Sequence, residues 1–359
     1  MTRYIALDAF RGLTIALMIL VNTPGSWDFV YAPLLHANWH GATPTDLVFP
    51  FFLFIIGSAM FFSYKKTNFV FSSAQVSRLL KRALIMFFIG LALNAYPFVT
   101  PFDELRILGV LQRIAIAYFF AGLLILFFNR RGIFISSIVI LLGYWLLMLS
   151  VGSDQAYTLE YNIIRQFDVF ILGNNHMWGG KGLPFDPEGL LSTIPAVVNV
   201  LIGFEITRIV SRINDKNECV VKLLKIGVVG IALSLLWDTV MPLNKSLWTS
   251  SYVIFSSAIA CFVLAVFIYL IDIKNCKKPV VPLLVYGTNP MFIYVLSWLW
   301  TTTYFFISID GVDLYAWLFN ALQTVFNPTL ASFVFALSHV VLFWFISQQL
   351  YKRKIFIKI

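Results

Sequence analysis

The segment from residue 36 to residue 46 brings together the side chains best suited to acid–base chemistry. His36 and His40 lie in a polar stretch before a long apolar run, and Asp46 falls where that run begins. An imidazole takes a proton from an amine or hydroxyl near neutral pH, and a neighbouring carboxylate fixes its tautomer. The segment is a candidate general-base or nucleophilic site, although a lone histidine is more often structural.

The same segment carries the signals of a helix start. Thr43 or Thr45 would cap the helix, and Asp46 would lie in its first turn, where a carboxylate complements the helix dipole. Two histidines four residues apart also suggest a metal site, but no third ligand follows at a suitable spacing. From the residues alone, His36 and Asp46 are therefore candidates for catalysis beside the commoner structural role, and we predict no metal.

A polar stripe runs along the first apolar segment. Asp8 and Arg11 are three residues apart and share a helix face, and Asn22 returns to nearly the same face. Ionisable residues inside membrane spans are costly and indicate function by default. The alternative is a local Asp8–Arg11 ion pair with Asn22 ending the helix.

Other polar residues interrupt apolar runs further along the chain. Gln112 and Arg113 lie within one such run, and a buried Arg113 would need a partner such as Asp46 or Asp238. Lys245 and Arg113 fit anionic-substrate contacts and an internal ion-pair lattice equally well. His176 lies in a long polar segment, and its position in the sequence does not distinguish a functional role from a structural one.

The composition requires a membrane to surround these residues. The chain of 359 residues is 60% hydrophobic and 12% charged, with a mean hydropathy of +0.84, whereas soluble domains are about 25% charged. Each membrane span needs roughly 20 mostly apolar residues. We predict an all-α polytopic protein of about ten spans forming a single domain over 1–359. The spans lie near 10–29, 45–64, 79–96, 108–128, 132–150, 189–209, 222–241, 249–271, 280–305 and 330–350.

The basic residues set the predicted orientation. With the N-terminus inside, cytoplasmic segments hold 21 of the 26 Lys and Arg residues, including Arg3 and Lys358, as the positive-inside rule requires. Both termini are then cytoplasmic, and topology accounts for the net charge of +9 without a nucleic-acid partner. The long polar segments 30–44 and 151–188 fall outside, where we expect the acceptor side.

The residues by themselves leave three function classes open. An acyltransferase, a transporter or flippase of a sugar or lipid-linked glycan, and a membrane scaffold would all have a histidine-bearing outer vestibule. The sequence has no P-loop, no G-x-S-x-G elbow and no H-E-x-x-H motif. It also has no convincing internal repeat, so the inverted symmetry of many transporters lacks support.

The ordered motifs resemble one family over nearly the whole chain. The run Leu-Asp-Ala-Phe-Arg-Gly from residue 7, His-Ala-Asn-Trp from residue 36 and Asp-Leu-Val-Phe-Pro-Phe-Phe from residue 46 resemble heparan-α-glucosaminide N-acetyltransferase and its bacterial homologues. Further similar motifs are 109–113, 172–176, 186–194 and 242–248, together with Asn289 and Tyr294.

The resemblance implies a transmembrane acyltransferase that takes acetyl-CoA from the cytoplasm and acetylates a glucosamine-type acceptor beyond the membrane. The family's active histidine falls on His36 and its catalytic asparagine on Asn22, and we add Asp46 as a catalytic residue. We predict that Asp8, Arg11, Gln112, Arg113 and Asn289 bind the cofactor. We predict that Trp39, His176, Asp186, Glu188, Asn244, Lys245 and Trp248 bind the acceptor.

The setting follows from the same resemblance. The sequence begins directly at the Asp-x-Phe-Arg-Gly helix, without the luminal domain of the animal enzyme, so we expect an envelope glycan rather than heparan sulfate as acceptor. We expect the protein in a bacterial inner membrane, and a homodimer is left open.

Overall fold

The computed structural model describes residues 4–152 and 154–357, whose regular secondary structure is almost entirely helical. Arg3 and Lys358, two of the basic residues that set the predicted orientation, lie outside the described residues. Lipid offers no hydrogen bonds to the backbone, so helices are the form that apolar spans take. The α-helices of the described residues are α1 (Ile5–Asn22), α2 (Val48–Lys65), α3 (Ser73–Ala95), α4 (Val110–Phe127), α5 (Arg130–Leu149), α6 (Ile163–Leu172), α7 (Thr193–Val210), α8 (Lys216–Asp238), α9 (Ser250–Ile268), α10 (Val281–Tyr286), α11 (Pro290–Tyr304), α12 (Leu314–Gln323) and α13 (Pro328–Lys352).

Shorter elements join these helices. Strands β1 (Ser308–Ile309) and β2 (Val312–Asp313) form a small antiparallel hairpin. One π-helical turn, Tyr269–Ile273, extends α9, and the 3₁₀ turns are Ala32–Leu34, Pro44–Leu47, Phe102–Glu104, Asn174–His176 and Lys278–Val280.

The all-α polytopic class is confirmed. Within the described residues, eight helical segments are long and apolar enough to cross a membrane, or nine if one bent pair is a single span. The eight are Ile5–Asn22, Pro44–Lys65, Val110–Phe127, Arg130–Leu149, Thr193–Val210, Lys216–Asp238, Ser250–Ile273 and Pro328–Lys352. Sidedness remains a prediction from the basic residues.

The predicted span at 79–96 corresponds to α3, which differs from the other spans in composition. The helix has 23 residues, but every stretch of 18 residues within it includes Arg78, Lys81 and Arg82. Those three side chains are exposed near its N-terminal end. Helix α3 would complete the ten predicted spans if its basic end lies at the membrane interface, where long cationic side chains reach water.

The helix predicted over 280–305 is interrupted, whereas the span itself stays a prediction, since the bent pair can count as one span. The chain bends by 71° between Lys278–Tyr286 and Pro290–Tyr304. Pro290 has no N–H to continue a helix from the preceding turn. Gly287 lies against the backbone oxygen of Asp8, and a Cβ at Gly12 would collide with the backbone of Leu283. The two glycines therefore let α1 and α10 approach at backbone distance beside the bend.

The described contacts divide the chain into two compact units. The first unit comprises the described residues up to Ala37, Thr43–Phe49 and the described residues from Val266 onward. There α1 packs against α10, α11 and α13. The second unit comprises Asn38–Ala42 and Pro50–Ala265, in which α4 packs against α3 and α7 and α5 packs against α7. The single domain predicted over 1–359 stays a prediction.

Candidate active site

The first unit contains the predicted histidine–carboxylate pair. His36 Nδ1 lies 2.7 Å from Asp46 Oδ1. The Asp46 side chain is only 1% exposed, whereas the His36 side chain is 43% exposed. A buried carboxylate thus holds one edge of an imidazole whose ring remains accessible.

The other oxygen of Asp46 fixes the polypeptide around this pair. Asp46 Oδ2 accepts hydrogen bonds from the backbone N–H groups of Ala37 and Thr43, both at 3.0 Å. The Thr43 hydroxyl also lies 3.0 Å from Oδ2. Thr43 is the N-cap of the turn Pro44–Leu47, which leads into α2, and Asp46 lies in the first turn. The predicted helix start is confirmed, with Thr43 rather than Thr45 as the cap.

This geometry determines which ring nitrogen can do chemistry. A carboxylate that binds Nδ1 stabilises the tautomer with the proton on Nδ1, which leaves the lone pair on Nε2. That nitrogen can accept a proton from an amine or attack a thioester carbonyl. The first unit therefore supplies an oriented base or nucleophile.

The polar stripe of α1 is present in the same unit. Arg11 Nη1 lies 3.0 Å from Asp8 Oδ1 and 3.4 Å from the backbone oxygen of Gly287. The local Asp8–Arg11 pair is therefore confirmed, and Arg11 also contacts the bend after α10. Asn22 is the last residue of α1, and it is exposed. Its amide is accessible for the catalytic role that the resemblance implies.

Asn289 holds the C-terminal tail. Its amide Nδ2 donates to the Ile355 carbonyl at 3.0 Å, and its Oδ1 accepts from the Ile357 amide at 2.7 Å. Asn289 itself is 1% exposed. The Asn289 side chain thus fixes the backbone of Ile355 and Ile357. Its role in binding acetyl-CoA remains a prediction.

In the second unit, Arg113 is completely buried in α4. Its Nη2 donates to the Ser192 hydroxyl and, at 3.3 Å, to the Gly189 carbonyl. Its guanidinium carbon lies 4.7 Å from the centre of the Trp248 ring, a cation–π distance. Asp238, one partner that the sequence suggested, accepts a hydrogen bond from the Leu243 amide. Arg113 thus joins α4 to the turn before α7.

Arg106 was not predicted as a site residue, yet it is the centre of an ion-pair network. Its Nε and Nη2 bind the two oxygens of Asp186 at 2.8 and 2.7 Å, and Nη2 also binds Glu188 at 2.8 Å. Asp186 is fully buried. The predicted acceptor residues Asp186 and Glu188 therefore bind Arg106, and the pairing spans 80 residues of sequence, a separation that no local pattern reveals.

Asp168 is a second residue that the sequence reasoning missed. Its Oδ1 accepts from the Leu190 and Leu191 amides, both at 3.1 Å. Its Oδ2 is buried without a hydrogen-bond partner among the described residues, and a Cβ at Gly189 would collide with it. Burial raises the pKa of Asp168 to about 6, although the Leu191 amide and the Arg113 guanidinium act in the opposite direction. A carboxylate on the short helix α6 was its only sequence signal.

Three of the remaining predicted site residues are buried and hold loops of the second unit. Gln112 Nε2 donates to the Ile107 carbonyl at 2.9 Å. Asn244 Oδ1 accepts from the Leu247 amide at 2.8 Å, and Trp248 Nε1 donates to Asn199 Oδ1 at 2.9 Å. All three side chains are at most 1% exposed.

The last predicted acceptor residues are more accessible. His176 is half-buried, and its Nδ1 bonds the Leu105 carbonyl at 2.7 Å. Lys245 and Trp39 are partly exposed. Trp39 lines a cleft of the second unit. No other predicted acceptor residue lines that cleft. Acceptor binding by the full predicted set stays a prediction.

Comparison with known proteins supports the resemblance seen in the sequence. The family model described as heparan-alpha-glucosaminide N-acetyltransferase, catalytic, matches residues 3–174. The human and mouse proteins named heparan-alpha-glucosaminide N-acetyltransferase are each 28% identical to the chain, over 351 and 352 residues. These alignments cover 81% and 80% of the chain and 52% of each relative, so the chain spans about half the length of these relatives. The matched region includes the Asp8–Arg11 stripe, Asn22 and the His36–Asp46 pair. The chain is thus similar to the heparan-alpha-glucosaminide N-acetyltransferases, by the family model over residues 3–174 and by the two relatives over about four fifths of its length.

Proposed function

We propose that this protein is a transmembrane acetyltransferase that transfers an acetyl group from cytoplasmic acetyl-CoA to an amino sugar or envelope glycan across a bacterial inner membrane. The His36–Asp46 pair carries the proposal, because it places a buried carboxylate against one nitrogen of an accessible imidazole. The names of the human and mouse relatives supply the substrate class. The distribution of basic residues supports a cytoplasmic donor and an external acceptor.

The chemistry assigned to His36 is proton transfer during attack on a thioester. The acceptor amine gives a proton to Nε2 as its nitrogen bonds the acetyl carbon, and the carbon–sulfur bond then breaks. The imidazolium returns the proton to the departing sulfur, which yields the amide and CoA thiol. The exposed Asn22 amide would stabilise the transient oxyanion.

A covalent route uses the same residues. Nε2 attacks the thioester first and CoA leaves as the thiolate, which gives a positively charged acetyl-imidazole. The acceptor amine then takes the acetyl group, and the proton that its nitrogen loses passes to the thiolate. Mass spectrometry of the protein incubated with acetyl-CoA alone separates the routes. Acetyl on the peptide containing His36 supports the covalent route, and its absence during active turnover supports direct transfer.

The decisive experiment supplies purified protein with radiolabelled acetyl-CoA and glucosamine. We expect labelled N-acetylglucosamine and free CoA, and we expect His36→Ala to lower turnover by at least about 100-fold, the usual contribution of a general base. The control is Asp103→Asn, which changes an exposed carboxylate of the second unit.

A second measurement separates lost chemistry from lost folding. Acetyl-CoA should raise the melting temperature of wild type and His36→Ala alike, because a ligand that binds only the folded state stabilises it. Near-normal turnover in His36→Ala would overturn the catalytic assignment. A wild-type protein that neither binds acetyl-CoA nor transfers acetyl to any amino sugar would favour the transporter class.

A further inference from the structure

A polar cleft lies on the second unit beside the chain that follows the catalytic histidine. Its volume is about 510 Å³, within the range of ~300–1,000 Å³ typical of small-molecule pockets. The cleft combines aromatic rings with charged and amide groups. Its lining is Asn38, Trp39, His40, Asp154, Tyr157, Thr158, Leu159, Glu160, Lys181 and Pro242.

Trp39 is held rigidly as one wall of this cleft. Its indole Nε1 donates to the Tyr157 carbonyl at 2.7 Å, and the ring meets the edge of buried Phe185 at a centroid distance of 5.5 Å. It packs against a buried cluster that includes Phe185 and Leu247. An aromatic ring fixed in this way offers a preorganised apolar surface at little entropic cost.

The loop that carries Trp39 is fixed as well. The Gly41 amide donates to the Leu243 carbonyl at 2.7 Å, and Asn244 Nδ2 lies 3.4 Å from His40 Nδ1. Gly41 has a φ of +97°, a conformation that glycine adopts without strain. The cleft is therefore built before any ligand arrives.

The charges of the cleft favour a cation. Asp154 and Glu160 contribute two carboxylates, and both residues are exposed. Lys181 contributes one positive charge, and its Nζ donates to the Asn38 carbonyl at 2.7 Å. Burial lowers the pKa of His40, although Asp238 acts in the opposite direction, so the imidazole is neutral at neutral pH. The ionisable groups of the lining sum to one negative charge.

We propose that this cleft binds a pyranose ring of the acceptor, with the sugar face on Trp39 and its ammonium group towards Asp154 and Glu160. The assignment rests on the proposed function and adds to it the place where the acceptor is held. Apolar sugar C–H groups suit an aromatic face, and hydroxyl groups suit carboxylate, amide and lysine partners. Trp39 follows His36 by three residues, and three residues span at most about 11 Å.

The charge balance also explains how product would leave. Acetylation converts an ammonium-forming amine into a neutral amide, so the product loses its attraction to the two carboxylates. We therefore expect the cleft to bind glucosamine more tightly than N-acetylglucosamine or glucose.

The test measures binding and transfer separately on purified protein in detergent. Saturation-transfer NMR without acetyl-CoA reports binding of glucosamine, N-acetylglucosamine and glucose. Steady-state transfer then reports KM and kcat. We expect Trp39→Ala to raise the KM for glucosamine by about tenfold, as for a buried aromatic anchor, with little change in kcat.

Because Trp39 also packs against a core, a second variant keeps the test independent of folding. Glu160→Gln changes one exposed side chain, and it should raise the KM for glucosamine by about fivefold and abolish the preference over glucose. Glu104→Gln is the matched control, since it removes an exposed carboxylate outside the cleft.

The outcomes separate this proposal from the proposed function. Transfer to glucosamine with an unchanged KM in folded Trp39→Ala and Glu160→Gln would overturn the cleft and leave the acetyltransferase intact. Binding of glucosamine that depends on Trp39 and Glu160, without transfer by wild type, would support the cleft and overturn the acetyltransferase. Equal binding of all three sugars would overturn the ammonium assignment.

Discussion

The His36–Asp46 pair and the Arg106 ion-pair network both rest on a buried aspartate, but they differ in how much of the partner side chain stays exposed. In the first unit, buried Asp46 binds one edge of an imidazole that stays 43% exposed. In the second unit, Arg106 bonds both oxygens of Asp186 and also Glu188, and Asp186 has no exposure. Catalysis requires a polar atom that can still react, whereas stability requires every buried polar atom to be satisfied. The comparison supports the chemical role proposed for the first group and is consistent with an architectural role for the second.

We expect the strongest loss of activity at Asp46. Asp46→Asn should lower kcat by about 100-fold or more, because an amide no longer holds the Nδ1–H tautomer of His36. The matched control is Thr43→Val, which removes a hydroxyl beside Oδ2 and leaves the His36–Asp46 pair in place. We expect at most a few-fold loss there. Equal losses in the two variants would mean that Asp46 acts only by ordering the loop.

The next effect concerns stability instead of rate. Arg106→Ala leaves buried Asp186 without its partner and should lower the free energy of unfolding by about 3–5 kcal/mol. The loss would appear as a reduced melting temperature, with kcat near wild type below that temperature. Arg131→Ala, at an exposed site, should change neither quantity. A fall in kcat without a fall in melting temperature would show that Arg106 acts in catalysis and not in stability.

The smallest effect is a pH dependence from Asp168. Its pKa is raised to about 6 by burial, above the 3.8 of an ordinary aspartate, so the folded state binds this proton more tightly than the unfolded state. Stability from this group is therefore present below about pH 4 and is lost as pH rises towards 6.

Melting curves between pH 4 and pH 7 test this sign. Asp168→Asn should flatten the decline seen in wild type by a few degrees, because its amide does not titrate. Identical pH profiles for wild type and variant would show that Asp168 does not titrate in this range.

The sequence predicted the His36–Asp46 pair, proposed to be catalytic, because the information is local. His36 and Asp46 are ten residues apart, and the signals of a helix start place the carboxylate in the first turn. The catalytic roles predicted for His36 and Asn22 came from the resemblance, since spacing alone favours a structural histidine.

The contacts of the second unit could not be predicted, because they join residues that are far apart in the sequence. Arg106 and Asp186 are 80 residues apart, so their pairing follows from how α4 and α7 pack and not from any motif. The bend between α10 and α11 was missed because hydropathy stays high across Gly287 and Pro290, although both residues are signals of a helix break. The short helices α6 and α12 lie outside the ten predicted spans.

The two hydrogen bonds of the Asn289 side chain have a practical consequence for handling this protein. Its amide binds the backbone of Ile355 and Ile357, within five residues of the last residue of the sequence. An affinity tag or fluorescent reporter fused directly there would pull on those two hydrogen bonds. A flexible glycine–serine linker would relieve this load, and a tag at the other end of the chain would avoid it.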